Sequence, residues 1–473
     1  MTSASSSAHP SYVNIFELQH LKDPLAALLV LGMADTARQS QELLGPSSVA
    51  LSWIGVWMPP GGRRPGFRLL GAIFIATTDI VISSLAAAQM LFDTPTDPEV
   101  FREVFFICTC GFSWFVKMVS FLVQWRRLQR MVMSLLDAKI RFPDNGTGVR
   151  ERYTRTAYSV WRWWQALPAV TVVLWMGDPL IQTLMSPPAE NGTRPLIFWI
   201  PVEVQHSPAY EITYAIEAFC IGSATETSIL IDIILIVLLV YAAGEIAVLN
   251  ENIAGMRLSN TREREKVEPD KGLQALERST DEVSISQTAY VFGEYSSDSK
   301  RNLFVLHRND TYWKLHSSLV KNIQHHEVIL TYINDLEIVL STSIYVLLLT
   351  NALNICLHSF GIVALFQEGA TSSTVFKEVI SFASFLAQTG LFCFIGQLII
   401  DQADRLQFSA FSCDWPQADE SFCRSLRIFM LQAARPLSVR VGKLIELSRN
   451  SFLQAMNSSY TLFNMLFNLQ SAD

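Results

Sequence analysis

Charge is what this sequence has least of. Only 17% of its residues are Asp, Glu, Lys or Arg, where a soluble protein carries about 25%, and half are hydrophobic. That balance excludes a disordered chain and, with a formal net charge of -7, a nucleic-acid binder. Phosphate-cradling glycine loops and paired CxxC motifs are missing, so the sequence reads as no enzyme, with no cofactor and no metal site. His325 and His326 are adjacent, which sets their rings about 100° apart on a helix rather than on one metal-binding face. They are expected to be solvated or hydrogen-bonded. The first 20 residues have no basic stretch leading into an apolar one, and no lipidation signal stands at either end; the first span is expected to act as its own insertion signal.

The scarcity of charge is concentrated. Seven windows come close to the 20 or so apolar residues that a bilayer crossing needs: Leu69–Phe92, Val104–Trp125, Tyr158–Ile181, Ile212–Tyr241, Ile338–Phe366, Val379–Ile400 and the shorter Phe452–Leu469. Pro168 interrupts the third. Residues 50–60 (ALSWIGVWMPP) are too short to span and read as interfacial, with Trp53 and Trp57 at headgroup depth. The fold expected is an all-α membrane protein of seven transmembrane helices.

Lys and Arg set its orientation. The segments on alternate sides of the spans carry 5, 8, 11 and 7 of them, against 1, 1, 1 and none on the other side, while Lys117 and Arg162 lie within spans. The positive-inside rule then places the N-terminus in the cytoplasm and the C-terminus outside. A receptor coupled to G proteins has the opposite arrangement. The seven cysteines all fall in spans or on the basic side, away from loops where a disulfide would form. A transporter is the remaining alternative, although no internal repeat or matched pair of broken helices supports it. Of two sequons, Asn191 falls in an extracellular loop and is the expected glycosylation site; Asn145 falls on the cytoplasmic side and is not.

The sequence divides into a cytoplasmic N-terminal segment (1–68), spans one to four with cytoplasmic extensions (69–243) and a cytoplasmic connection (244–337). Spans five and six (338–400), a cytoplasmic anchor region (401–449) and a last helix with the C-terminus (450–473) follow. Spans two to six continue as amphipathic helices that would bundle beneath the membrane. Residues 259–301 are charged and Ser-rich and read as poorly ordered. A helix from about Ser421 to Ala434 is broken by Arg435-Pro436, and a final helix starts near Arg449. That helix carries Asn457, Ser458, Ser459, Asn464 and Asn468, polar groups that are costly in hydrocarbon. They can bond between helices of one chain, or line a water-filled path shared between subunits.

Several stretches resemble the insect odorant receptor family: FCFIGQLI, SAFSCDWP, RSLRIFMLQAARPLSV and SFLQAMNSSYTLFNML in the last third, PLIFWIPVEVQHSPAYEITYAIE before the fourth span, HHEVILTYINDLE before the fifth, and Lys117. Ser459-Tyr460 lacks the spaced Gln-Phe expected of the related gustatory receptors. The resemblance implies an odour-binding subunit of a ligand-gated, non-selective cation channel. Its partners would be a small volatile odorant, a shared co-receptor subunit in a tetramer, membrane lipid and permeant cations, at the plasma membrane of a sensory dendrite. It also implies an odorant pocket in the outer half of the membrane between spans two, three, four and six.

Depth alone offers Cys108 and Phe112, Pro168, Thr171 and Trp175, Tyr214 and Ala218, and Ser381 and Ser384 for that pocket; each could equally be a helix-packing residue. Aromatic walls with a few hydroxyls suit small volatile molecules held by dispersion and shape. For a gate, the last helix offers Phe463, Leu466 and Phe467 on one face, four copies of which could close a pore by dewetting. Alternatively that face packs on span five and Tyr460, Asn464 and Asn468 meet water. Lys117 is a functional charge, a snorkelling one, or half of an ion pair.

Overall fold

The computed structural model describes residues 35–60, 65–92, 94–95, 98–185, 206–256, 292–368 and 372–470. Among them the chain is built from α1 (Pro46–Ile54), α2 (Pro65–Phe92), α3 (Pro98–Val123), α4 (Trp125–Arg141), α5 (Val149–Trp164) and α6 (Ala166–Met185). The second half comprises α7 (Ala209–Ala254), α8 (Phe292–Glu368), α9 (Ser372–Phe411), α10 (Glu420–Ala433) and α11 (Arg449–Gln470). A hairpin of two-residue strands, Arg440–Val441 and Ile445–Glu446, precedes α11. Among the described residues five helical segments are long and apolar enough to cross a membrane: Leu69–Phe92, Val100–Val123, Ala209–Ala254, Tyr312–Gln367 and Thr374–Phe411. The third and seventh windows of the sequence are helical but are not among these five.

The third window is two helices, α5 and α6, that meet at Gln165. Pro168 accounts for the break. Its ring has no N–H to give and would collide with the carbonyl four residues back, at Trp164, where α5 ends. Pro168 then sits in the first turn of α6, where a missing donor costs nothing.

The core forms around α7. Every residue from Thr227 to Asn250 is buried, as expected of a helix that is apolar on all sides. The other long helices pack around it and leave apolar side chains of α2, such as Leu70, Phe74 and Val81, exposed on the outer surface. A soluble protein would not present such a stripe. Trp57 departs from the interfacial expectation: it is buried against Phe121, with ring centroids 6.2 Å apart, while Trp53 is exposed.

At the basic end, α7, α8 and α9 run on past the apolar stretches. At 1.5 Å per residue, the 77 residues of α8 make a rod of about 115 Å. Its first turns occupy 292–301, which the sequence suggested to be poorly ordered; 259–291 and Asn191 lie outside the described residues. Arg150 grips Glu245 of α7 through Nε and Nη2 (2.8 and 2.6 Å), and His325 of α8 lies 3.0 Å from the same carboxylate. His325 also stacks on Phe142, and His326 meets Phe429 edge-on. Both histidines are buried, so their role is hydrogen bonding and packing rather than solvation.

The hairpin before α11 docks on α8, where Gly442 N–H donates to the Ser341 carbonyl at 2.9 Å. Gly442 has φ 60° and a Cβ there would lie 2.4 Å from the Tyr345 ring, so two constraints select glycine. Gly396 of α9 has a similar role, because a Cβ would come within 2.4 Å of the Leu447 carbonyl oxygen. These contacts set where α11 begins.

Candidate functional site

A cavity of about 130 Å³ lies between α3, α6, α7 and α9, closed at its edges by Ile82 of α2 and Trp164 of α5. Its walls are mainly apolar, and five of the lining residues are aromatic. Phe106 and Trp114 come from α3, Trp175 from α6 and Phe385 from α9. The rings brace one another: Phe106 lies 4.7 Å from Trp175 and 5.7 Å from Phe385, centroid to centroid.

Of the residues proposed from depth, Pro168, Thr171, Trp175 and Ser384 line this cavity. Thr171 and Ser384 share a 2.8 Å hydrogen bond across the α6–α9 seam. Ser381 lies behind the wall, fully buried, and accepts a 2.9 Å hydrogen bond from Trp175 Nε1. Cys108, Phe112, Tyr214 and Ala218 do not line it. Helical phase explains the first pair. The cavity face of α3 runs Ile107, Cys110, Trp114 at i, i+3 and i+7, which turns Cys108 toward α2 (its carbonyl accepts from Ser83) and leaves Phe112 half-exposed.

On α7 the residues that line the cavity share a face with Tyr214 and Ala218 but lie nearer the basic end. Ile221, Thr225 and Ser228 continue the Tyr214–Ala218 stripe toward the basic end. Tyr214 itself stacks on Tyr210, bonds the Met176 carbonyl and packs with Ala218 in a separate small cluster.

Sequence reasoning missed the polar corner of the cavity. Ser228 and Gln388 line it, and a buried ion pair stands directly behind them. Lys117 Nζ donates to Ser228 Oγ at 2.9 Å and to Asp232 Oδ2 at 2.8 Å, and lies 2.7 Å from Asp232 Oδ1. Gln388 Nε2 donates to the same carboxylate at 2.7 Å, and its Oε1 accepts from Asn351 of α8 at 3.0 Å. Lys117 and Asp232 are 1% and 0% exposed, so Lys117 is paired and does not snorkel. Its scarcity in an apolar helix was the visible signal; the partner 115 residues away was not.

A second charged group stands past Trp175, toward the end of α3 farthest from the basic loops. Arg102 meets Glu378 at 3.2 Å, Glu378 also holds His358, and Lys377 meets Glu103 at 3.0 Å while its ammonium lies 4.7 Å from the Trp175 ring centre. Phe106, which lines the cavity, touches His358 edge-on. Charges at this end therefore fix the aromatic wall by contact.

α11 packs on α8 and α9. Ser459 is buried and donates to the Ala352 carbonyl of α8 at 2.9 Å, one of the interhelical bonds considered for this helix. The trio considered for a gate is divided: Phe463 and Phe467 stack on each other half-buried, while Leu466 is exposed. Tyr460 is exposed and Asn464 half-buried.

Comparison with known proteins agrees with this architecture. The olfactory receptor OR5 of Machilis hrabei, solved in complex with eugenol, superposes with a TM-score of 0.67 at 14% identity, over 93% of this chain and 99% of that one. Odorant receptor 85c of Drosophila melanogaster is 25% identical over 31% of this chain and 37% of its own length. Odorant receptor 10 of Aedes albopictus is 23% identical over 31% of this chain and 38% of its own. The chain thus spans little more than a third of the length of the curated relatives it matches. The model of the 7tm odorant receptor family matches residues 97–460, and the chain belongs to that family.

Proposed function

We propose that this receptor, which like its family is no enzyme, is the odour-binding subunit of a ligand-gated, non-selective cation channel. The observation that carries the reading is the aromatic cavity enclosed by α3, α6, α7 and α9. A small volatile molecule suits it by size and by the preponderance of apolar wall, bound by dispersion and ring contacts. The eugenol bound by the fold neighbour is a molecule of that kind.

In this reading the chain crosses the plasma membrane seven times, α5–α6 and α11 supplying the two crossings beyond the five apolar segments. The basic end lies in the cytoplasm and the N-terminus with it. Four subunits, some of them a co-receptor, assemble through the cytoplasmic helices, and α11 lines the central pore. The exposed face of α11, which includes Tyr460 and Leu466, is turned to the pore or to a neighbouring subunit. Phe463, Phe467 and Asn464 contribute from the flank.

Whole-cell recording tests the proposal. Cells expressing the chain with an odorant co-receptor should carry a cation current when small odorants are applied, and the current should not need intracellular GTP. A GTP requirement would overturn the channel reading. A C-terminal tag accessible only after permeabilisation would overturn the orientation.

A further inference from the structure

The cavity's polar groups are not equivalent, and the difference points to a class of ligand. Thr171 and Ser384 are bonded to each other and to their own helices' carbonyls at Leu167 and Ile380, and Trp175 Nε1 is committed to Ser381. Those groups have little left to offer. The corner of Thr225, Ser228 and Gln388 differs. Ser228 Oγ accepts from the Lys117 ammonium, and among the described residues its own proton goes to no acceptor. Gln388 gives one N–H to Asp232 and its oxygen to Asn351, so what remains is a second N–H. Thr225, one turn from Ser228 on the same face of α7, makes no hydrogen bond to a described residue.

The corner is therefore a place where donors converge. A cation held against Ser228 Oγ polarises its O–H and makes it a stronger donor. The carboxylate of Asp232, which could have served as an acceptor, does not line the cavity: its Oδ2 is held by Lys117 and Gln388 and its Oδ1 lies 2.7 Å from the same ammonium. Apart from Cys110 and the mutually bonded Thr171 and Ser384, the rest of the lining is aromatic or aliphatic.

We propose that this site selects small aryl or alkyl carbonyl compounds, whose oxygen is received by Ser228 with Thr225 and Gln388 while the apolar body lies among Phe106, Trp175 and Phe385. The proposal rests on the reading of this cavity as the odorant site. A hydrocarbon of the same shape leaves the donors unmet. An alcohol can accept a bond there, but its own proton finds only the hydroxyl oxygens of Thr225 and Ser228, the latter already accepting from Lys117, so it should rank between the two.

The test uses three molecules with one carbon skeleton: acetophenone, 1-phenylethanol and ethylbenzene. Currents from the full chain with co-receptor should give acetophenone a half-maximal concentration about tenfold or more below ethylbenzene, a factor that corresponds to one hydrogen bond. Ser228→Ala should remove that advantage while the ethylbenzene response persists, which shows that cavity and pore still work. Ser228→Thr, which keeps the hydroxyl, should restore it. Wild-type receptor that ranks ethylbenzene equal to or above acetophenone, or that answers other volatiles and none of these three, overturns the proposal. So does a ketone preference that survives Ser228→Ala. Thermal stabilisation of the purified full chain separates the two readings: acetophenone that stabilises more than ethylbenzene without evoking current supports the carbonyl site and counts against the channel.

Discussion

The ion pair behind the cavity permits a graded test of what holds the bundle together. Lys117→Met removes a side chain that is 1% exposed and leaves Asp232, 0% exposed, with the Gln388 amide as its remaining donor. Asp79 of α2 is also buried, but the cost falls on Asp232, the carboxylate in direct contact with Lys117. Breaking one buried pair typically costs about 3–5 kcal/mol, and about 4 kcal/mol is expected here. At about 1.4 kcal/mol per factor of ten, the folded population falls roughly a thousandfold relative to unfolded. Asp232→Asn should cost less, because Lys117 keeps Ser228 and gains the new amide oxygen as acceptors. The double variant Lys117→Met/Asp232→Leu should recover most of the loss, since an apolar replacement of a buried pair is often neutral. The assay is the fraction of full-length chain that stays monodisperse in detergent through a heating series. If Lys117→Met melts with wild type, or if the double variant is as unstable as Lys117→Met, the pair does not stabilise the bundle as reasoned.

Gly396→Ala should lower the same melting transition, by about 1–3 kcal/mol, because the Leu447 carbonyl oxygen 2.4 Å from the new carbon belongs to backbone that cannot step aside. Arg150→Ala leaves the Glu245 carboxylate, bound otherwise by His325, buried at the basic end; a loss of about 3 kcal/mol is expected, and Arg150→Lys, a point charge without the planar fork, should restore only part of it. Asn191→Gln should shift the electrophoretic mobility of chain made in cells and Asn145→Gln should not, the reverse result contradicting the proposed orientation.

How much of this was readable from the sequence depended on how local the cause was. The helix expected from about Ser421 and stopped at Arg435-Pro436 follows from chain-local chemistry, and the structure places α10 at Glu420–Ala433, within a residue or so of expectation. The long apolar helices were legible for the same reason. The phase of α3 was not: a span with apolar side chains on every face does not say which face meets α7 and which meets the surface, and depth alone offers Cys108 and Phe112 where Cys110 and Trp114 line the cavity. Trp57 was misjudged because its burial depends on Phe121, well away in sequence. The Ser228–Lys117–Asp232–Gln388 group joins three helices more than a hundred residues apart, and no spacing rule could have assembled it.

The length of α8 has a mechanical consequence. One unbroken helix carries Asp335, which is held by Arg127 and Arg130, and also Asn351, which is tied to the cavity through Gln388, with Ala352 beside it bonded to α11. A strut without a joint cannot tilt at one end and stay still at the other. Any repositioning that a molecule in the cavity imposes near Asn351 is felt as sideways strain among the arginines about four turns away, and by thermodynamic reciprocity a substitution among those arginines shifts the concentration at which the cavity fills. Dose-response curves for this receptor should therefore carry the signature of residues that no odorant ever touches.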